Sequence, residues 1–290
     1  MTVAMIRIPG SIDDIVAGLI KAANTKLPDD IGWALEAAAG WETDDTARSQ
    51  LGGIMENVRK AQFLARPMCQ DTGVPVFYVS GKMIAGIEES IREGIRKANS
   101  SVPLRPNTVH PLTRKNSGDN LGKGMPIIHY KPSDADHTDI TVLIKGAGSE
   151  NMTRLAMLNP SDGAEGIKAF VISAVLEAGG RPCPPTVVGI GIGGTSDRCV
   201  EMAKEALLIP LDKVNDDETE RKLEEELFTI LNSSGLGPMG LGGDSTVLGV
   251  RIVTEYCHTA SLPVAVNLNC WAARKATVRI MSDGTYEYGK

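Results

Sequence analysis

Three of the five cysteines in this chain sit where a side chain can do chemistry. Cys69 lies in RPMCQDTGVP, Cys183 in GGRPCPPTVVGIGIGG and Cys270 in LPVAVNLNCWAARKA. The prolines and glycines around Cys69 and Cys183 mark element boundaries, where a thiol can face a cleft instead of a core. A thiolate in such a place can act as a nucleophile or as a soft metal ligand. None of the three belongs to a CxxC pair, so a structural zinc site of ordinary spacing is not expected. Their wide separation suits three loops that converge in space. The bland reading of any free cysteine is a small buried hydrophobe. That reading fits Cys199, inside the helical run DRCVEMAKEAL, and Cys257, at the end of an apolar strand.

The elements that must position these loops are legible from periodicity. Ser11 can cap a helix with apolar residues at Ile12, Ile15, Val16, Leu19 and Ile20. Thr43 or Asp44 can cap a longer one that runs to about Ala65 and stops at Pro67. Val74–Val79 alternates like a strand, and Ile84–Ala98 returns to helical spacing. Residues 101–125 are rich in Pro, Asn, Gly and Thr and read as a long ordered loop, a feature that in compact enzymes is often functional. Strands are expected at Ile127–Tyr130 and Ile140–Ile144, then a helix over Ala164–Glu177 that ends at Gly179-Gly180. The later half alternates: strand Thr186–Ile192, helices Asp197–Leu208 and Asp217–Leu231, strands Val247–Tyr256 and Pro263–Leu268. A closing hairpin, Ala276–Ile280 with Thr285–Tyr288, turns at Asp283-Gly284. With no internal repeat and no linker, the expectation is an α+β fold in a single domain over residues 1–290, helical at its start and mixed α/β thereafter.

Bulk properties exclude several classes. The formal net charge is −6 with no Lys/Arg-rich block, so the footprint of a nucleic-acid binder is missing. No apolar run approaches the ~20 residues that cross a bilayer. The start, MTVAMIRIPGSIDDI, has no secretory pattern, so a cytoplasmic chain with reduced cysteines is expected. One decoy needs an answer. Gly189-Ile190-Gly191-Ile192-Gly193-Gly194 fits the dinucleotide fingerprint between a strand and a helix. The charged stretch KVNDDETERKLEEEL follows where a second strand with an acidic end is required, within ~20 residues. A second match at Gly235–Gly240 shows that the chain's 31 glycines readily generate the pattern.

The strings MCQDTG, KGAGSEN, CPPTVVGIGIGGTSD and HTASLPVAVNLNCWAARKA, in that order, resemble those of class I fumarases and L-tartrate dehydratases, the iron–sulfur hydro-lyases. The likeness runs from the N-terminal helices to the last strands and is closest to the alpha subunit of the two-subunit form. It implies that Cys69, Cys183 and Cys270 hold a [4Fe–4S] cluster whose fourth iron has no protein ligand. Such an iron is a Lewis acid toward a substrate hydroxyl. Cys257 matches no ligand of the family.

The resemblance also implies substrate contacts for Gln70 and Asp71, although Asp71-Thr72-Gly73 reads equally as a turn. It makes His258, twelve residues before Cys270, a source of the proton for departing hydroxide, paired with Asp71. A dicarboxylate needs cationic clamps. Arg105 matches the family's arginine segment, with Arg114 and Arg274 as second and third candidates. Gly146, Gly148 and Ser149 fall in KGAGS, similar to the family's KGGGS, whose amides approach substrate; Ala147 departs from that pattern. The implied activity is reversible hydration of fumarate to L-malate, a tricarboxylic acid cycle step, with L(+)-tartrate dehydration as the alternative. The implied partner is a beta subunit that supplies the base and more cations, in an alpha2beta2 assembly, the chain itself reading as ending before that half. Rivals of other classes are an NAD-dependent dehydrogenase and a non-catalytic cluster-binding protein.

Overall fold

The computed structural model describes residues 11–289, so the reading of the first ten residues as lacking a leader lies outside the described residues. The chain forms two compact units. One comprises Met1–Pro28, Asn57–Lys145 and Arg274–Lys290; the other comprises Asp29–Glu56 and Gly146–Ala273. Both mix helices with largely antiparallel sheets, as an α+β fold does.

In the first unit, α1 (Ile12–Thr25) and α4 (Ile87–Ser101) cover a five-stranded sheet. Its order is β2-β1-β3-β8-β9, with β1 (Val74–Gly81), β2 (Ile127–Pro132), β3 (His137–Lys145), β8 (Lys275–Met281) and β9 (Tyr286–Gly289). The 3.6-residue apolar stripe of α1, at Ile15, Val16, Leu19 and Ile20, meets Ile91 and Ile95 of α4 and Phe77, Val79, Ile140 and Val142 of the sheet. Ser11 takes the N-cap position of α1, but its hydroxyl donates to the Asp14 carboxylate (3.1 Å) instead of bonding the backbone. Helix α4 begins at Ile87, later than its spacing suggests, because Gly86 is left-handed at φ +75°. Residues 102–126 form the long loop that the composition implied.

The second unit contains α2 (Asp29–Trp41), which Pro28 separates from α1 and which periodicity alone did not delimit. Its sheet has the order β4-β7-β5-β6, with β4 (Arg154–Leu158), β5 (Thr186–Gly193), β6 (Val247–Glu255) and β7 (Leu262–Asn269). β4 is an edge strand whose Leu155 and Met157 are exposed, and the sequence reading missed it. α6 (Gly163–Ala178) and α8 (Glu218–Asn232) pack on Val188, Ile190, Val264 and Val266. α7 (Ser196–Ala206) packs on the opposite face.

That second face explains the glycine decoy. Gly189 and Gly191 point toward α7, and a Cβ on Gly191 would stand 2.8 Å from Ala203 N and 3.0 Å from Met202 Cβ. The spacing of two, which mimics part of the fingerprint, is the pleat of β5 presenting bare backbone to a close helix. Gly191→Ala is therefore expected to destabilise the chain by about 3 kcal/mol or more, read as a fall in the urea midpoint. Among the described residues no helix is long and apolar enough to cross a membrane.

Candidate active site

In the first unit, the Cys69 loop is fastened at its base and its tip. Met68 N–H donates to Asn24 O (3.0 Å), and Asn57 Nδ2 donates to Met68 O (2.7 Å). Cys69 is half-buried and Gln70 exposed. Asp71 Oδ1 accepts the Gly73 N–H (2.9 Å), the turn expected of Asp-Thr-Gly. The long loop is drawn onto this turn. Arg105 N–H donates to Thr72 Oγ1 (2.9 Å), and Asn107 Nδ2 reaches Asp71 Oδ1 (3.4 Å), Thr72 Oγ1 (3.3 Å) and Gly73 O (3.1 Å). Asn120 completes the latch by accepting from Asn107 N–H (2.7 Å) and donating to Arg105 O (3.0 Å). Gln70, Asp71 and an exposed Arg105 thus share one region.

The other two arginine candidates differ. Arg114 is exposed and left-handed at φ +59°, in a separate turn where its N–H donates to His110 O (2.9 Å). Arg274 is only 1% exposed, and its Nη1 donates to Asn24 Oδ1 (3.3 Å), so it is a buried strut and not a solvent-facing clamp.

In the second unit, Cys183 and Cys270 occupy neighbouring loops. Trp271 N–H donates to Cys183 O (3.1 Å). Cys183 is left-handed at φ +56°, a conformation that costs a non-glycine residue about 1–2 kcal/mol. Its own N–H donates to Gly180 O (3.0 Å), and Met239 N–H donates to Pro184 O (2.8 Å), so the bend is imposed from several sides. Non-glycine residues held this way cluster at functional sites. Residues 146–149 of the KGAGS segment belong to the same neighbourhood. Gly146 precedes the single turn α5 (Ala147–Glu150), and Ser149, buried, donates its hydroxyl to Gly146 O (3.2 Å). A Cβ on Gly148 would stand 2.8 Å from Arg181 O, so glycine there lets this loop lie against the Cys183 loop.

His258 belongs to a different part of that unit. It follows β6 in an exposed turn, where Ala260 N–H donates to His258 Nδ1 (3.1 Å), leaving Nε2 as the donor in the neutral ring. The structure does not bring His258 to the Cys183 and Cys270 loops.

The remaining cysteines are otherwise engaged. Cys199 is fully buried with its thiol donating to Gly191 O (3.2 Å), and burial pushes it up to about 11. Cys257 corrects the reading of it as a buried hydrophobe: β6 ends at Glu255, so this cysteine falls in the exposed turn beyond the strand, where its thiol donates to Ser261 O (3.2 Å). No cysteine is in a disulfide. Among the described residues, no three His, Cys, Asp or Glu side chains are gathered within reach of one metal ion. The donor chemistry nonetheless fits a cluster: Cys69, Cys183 and Cys270 are half-buried, unbridged thiols at element ends, and two of their loops are hydrogen-bonded together.

Residues 13–279 match the protein family described as fumarate hydratase (Fumerase). The chain belongs to this family. It is 47% identical over 280 residues to the putative L(+)-tartrate dehydratase subunit alpha of Methanocaldococcus jannaschii, covering 94% of this chain and 98% of that one. It is 32% identical over 281 residues to the L(+)-tartrate dehydratase subunit alpha of Escherichia coli (strain UTI89 / UPEC), covering 95% and 93%. Against the putative fumarate hydratase class I of Geobacillus stearothermophilus it is 36% identical over 274 residues, which are 90% of this chain and 53% of that protein. Fumarate hydratases and tartrate dehydratases are hydro-lyases, and this chain is a hydro-lyase.

Sequence reading missed the residues that fasten these loops. Asn107 and Asn120 carry no motif signal, and the Trp271 contact to Cys183 O is made by a backbone N–H. Thiol labelling under native conditions should separate the cysteine classes. Cys257 is expected to react first, Cys69, Cys183 and Cys270 next, and Cys199 only on unfolding, as measured by peptide mass spectrometry after timed alkylation.

Proposed function

We propose that this chain is the alpha subunit of an iron–sulfur hydro-lyase that reversibly hydrates fumarate to L-malate. Cys69, Cys183 and Cys270 would hold a [4Fe–4S] cluster, and the chemistry such a cluster supplies when bound is Lewis acidity toward a hydroxyl. The observation that carries this reading is the joined pair of half-buried thiol loops at Cys183 and Cys270, in a chain whose other two cysteines are spent on core packing and on a surface turn.

The chain's own groups divide the remaining work. Arg105 offers a guanidinium to one carboxylate. Gln70 donates and accepts hydrogen bonds beside it. Asp71, with His258, holds and delivers the proton that turns hydroxide into a leaving water. The amides of Gly146, Gly148 and Ser149 face the substrate's other end. A family match that runs through both compact units supports one alpha-type domain over residues 1–290.

A beta subunit would supply the catalytic base and further cationic contacts. Support comes from two relatives named subunit alpha, of which this chain covers 98% and 93%. An alpha2beta2 enzyme in the reducing cytoplasm, where ligand thiols stay reduced, suits this chemistry. The second reading, L(+)-tartrate dehydration to oxaloacetate, is favoured by the names of those two relatives and uses the same groups.

An anaerobic assay of the reconstituted chain with its beta partner against fumarate, malate and both tartrate enantiomers tests the proposal. Turnover of fumarate and malate is expected. Turnover of L(+)-tartrate alone would select the second reading, and robust turnover by this chain without a partner would refute the two-subunit mechanism.

A further inference from the structure

Residues 235–243, the second glycine-rich stretch that imitates the dinucleotide pattern, have no part in the chemistry described above, yet they lie against the Cys183 loop. Gly235, Gly237, Gly240, Gly242 and Gly243 all have positive φ, from +66° to +117°. A stretch this rich in glycine loses much conformational freedom on ordering, so its shape has to be imposed by its surroundings. It touches the segment before Cys183 backbone to backbone. A Cβ on Gly240 would stand 2.6 Å from Gly180 Cα, and one on Gly180 would stand 2.9 Å from Met239 O. Beyond Cys183, Met239 N–H donates to Pro184 O (2.8 Å) and Thr186 N–H donates to Thr246 O (3.0 Å). The stretch thus grips the chain on both sides of the left-handed Cys183.

The end of this stretch is tied to Glu42, a buried carboxylate in the joint between α2 and α3 (Asp45–Leu64). Glu42 Oε1 accepts from Thr43 N–H (3.1 Å) and Asp44 N–H (3.2 Å), just before α3. Both of its oxygens accept from Asp244 N–H (2.9 and 3.0 Å), and Oε2 also accepts from Ser245 N–H (3.0 Å). Backbone N–H groups gathered in this way form an anion-binding nest, here filled by the protein's own side chain. Burying a carboxylate is costly unless its hydrogen bonds are made, so the nest and Glu42 hold each other in place. Gly243 leaves the room: a Cβ there would stand 3.0 Å from Glu42 Oε1 and 2.6 Å from Ala47 Cβ. At the neck of the stretch, Thr246 Oγ1 accepts from Gly237 N–H (3.1 Å), and Gly242 N–H donates to Leu236 O (3.0 Å). All of these residues belong to the second unit.

We propose that Glu42 is a positioning residue for the Cys183 thiol, acting through residues 237–246. The inference rests on the reading of Cys183 as a cluster ligand given above. The chain of contacts is continuous. Glu42 fixes Asp244 and Ser245, which closes the glycine stretch, and Met239 and Thr246 then set the backbone that follows Cys183. A non-glycine residue stays in a left-handed conformation only while its surroundings over-determine it. A metal ligand tolerates little drift, since its bond length is set to within about 0.2 Å. Glutamine does not replace Glu42. Its amide presents one oxygen and one NH₂ donor, so it can satisfy the start of α3 or Ser245 N–H, and not both.

The test loosens the clamp from each of its ends. Glu42→Gln acts on the nest, and Thr246→Val keeps the shape of threonine while removing the oxygen that receives Gly237 N–H. Val171→Ala, in the α6 core of the same unit, is the control for general destabilisation. In the full chain without cluster, timed alkylation is read by peptide mass spectrometry, with Cys69 of the other unit as the internal reference. The Cys183-to-Cys69 rate ratio is expected to rise about tenfold in both clamp variants and to stay within about twofold of wild type in the control. In the complete enzyme with its beta partner, loss of the cluster to an iron chelator should quicken in both clamp variants. There kcat should fall with little change in KM, because Gln70, Asp71 and Arg105 belong to a different loop. A ratio unchanged in the clamp variants, or raised equally by Val171→Ala, overturns the proposal, and so does a cluster lifetime that stays at the wild-type value. If Glu42→Gln does not fold, Thr246→Val alone decides. Should the wild-type chain take up no cluster, the iron–sulfur reading of Cys183 fails, while the alkylation ratio still decides whether the clamp positions its thiol.

Discussion

Cys270→Ala, and separately Cys183→Ala, is expected to abolish cluster assembly and to lower hydro-lyase turnover by about a thousandfold or more, whereas Cys257→Ala still assembles the cluster. The contrast is sharp because Cys257 and Cys270 flank the same strand. β7 separates them, so one thiol sits in an exposed turn while the other is half-buried beside the Cys183 loop. Neither active-loop variant should unfold the chain. The contacts that shape these loops are backbone bonds: Trp271 N–H to Cys183 O (3.1 Å), Ala273 N–H to Cys270 O (2.9 Å) and Cys183 N–H to Gly180 O (3.0 Å). Alanine preserves all three and is no worse than cysteine at φ +56°. Anaerobic reconstitution, followed by iron and sulfide analysis and assay with the beta partner, reads both effects. Normal cluster content in Cys183→Ala would remove that residue from the ligand set.

The parts of this chain that were legible in its sequence are those governed by local rules. Helix α8 starts where Asp217 can accept from Thr219 N–H (2.8 Å) and Glu220 N–H (3.1 Å), and that capping residue is visible in the sequence. The closing hairpin turns at Gly284, left-handed at φ +83°, as Asp-Gly announces. Edge strand β4 was not legible, because its Leu155 and Met157 face outward and give no inward stripe. The two-unit organisation was also hidden. The first unit is assembled from three separate stretches, and no composition change marks the places where the chain passes from one unit to the other. For the site, motif order located the thiols, but it could not show that His258 and Cys270, close in sequence, lie at opposite ends of one strand. That separation follows from the direction of β7, a property of pairing that a string of residues does not carry.

Asp71→Asn should cost about 10²–10⁴-fold in kcat with little change in KM or in melting temperature, because it removes proton chemistry while keeping the architecture. Oδ1 of Asp71 accepts from Gly73 N–H (2.9 Å) and lies 3.4 Å from Asn107 Nδ2, and the amide oxygen of asparagine can take both contacts. The turn, the Asn107 latch and Arg105 should therefore stay in place. Asp71→Ala lacks that oxygen. Gly73 N–H loses its acceptor and Asn107 loses one of its contacts, so the loop bearing Arg105 loosens. Its expected signature is a rise in KM on top of the loss in kcat, together with a lower melting temperature. Comparing the two variants separates a proton-handling carboxylate from a turn-forming one. If Asp71 delivers the proton, the limb of the kcat–pH profile that it contributes disappears in the asparagine variant. Should the asparagine variant keep kcat within about threefold while only the alanine variant fails, Asp71 is a positioning residue for Arg105, and the proton must come from elsewhere.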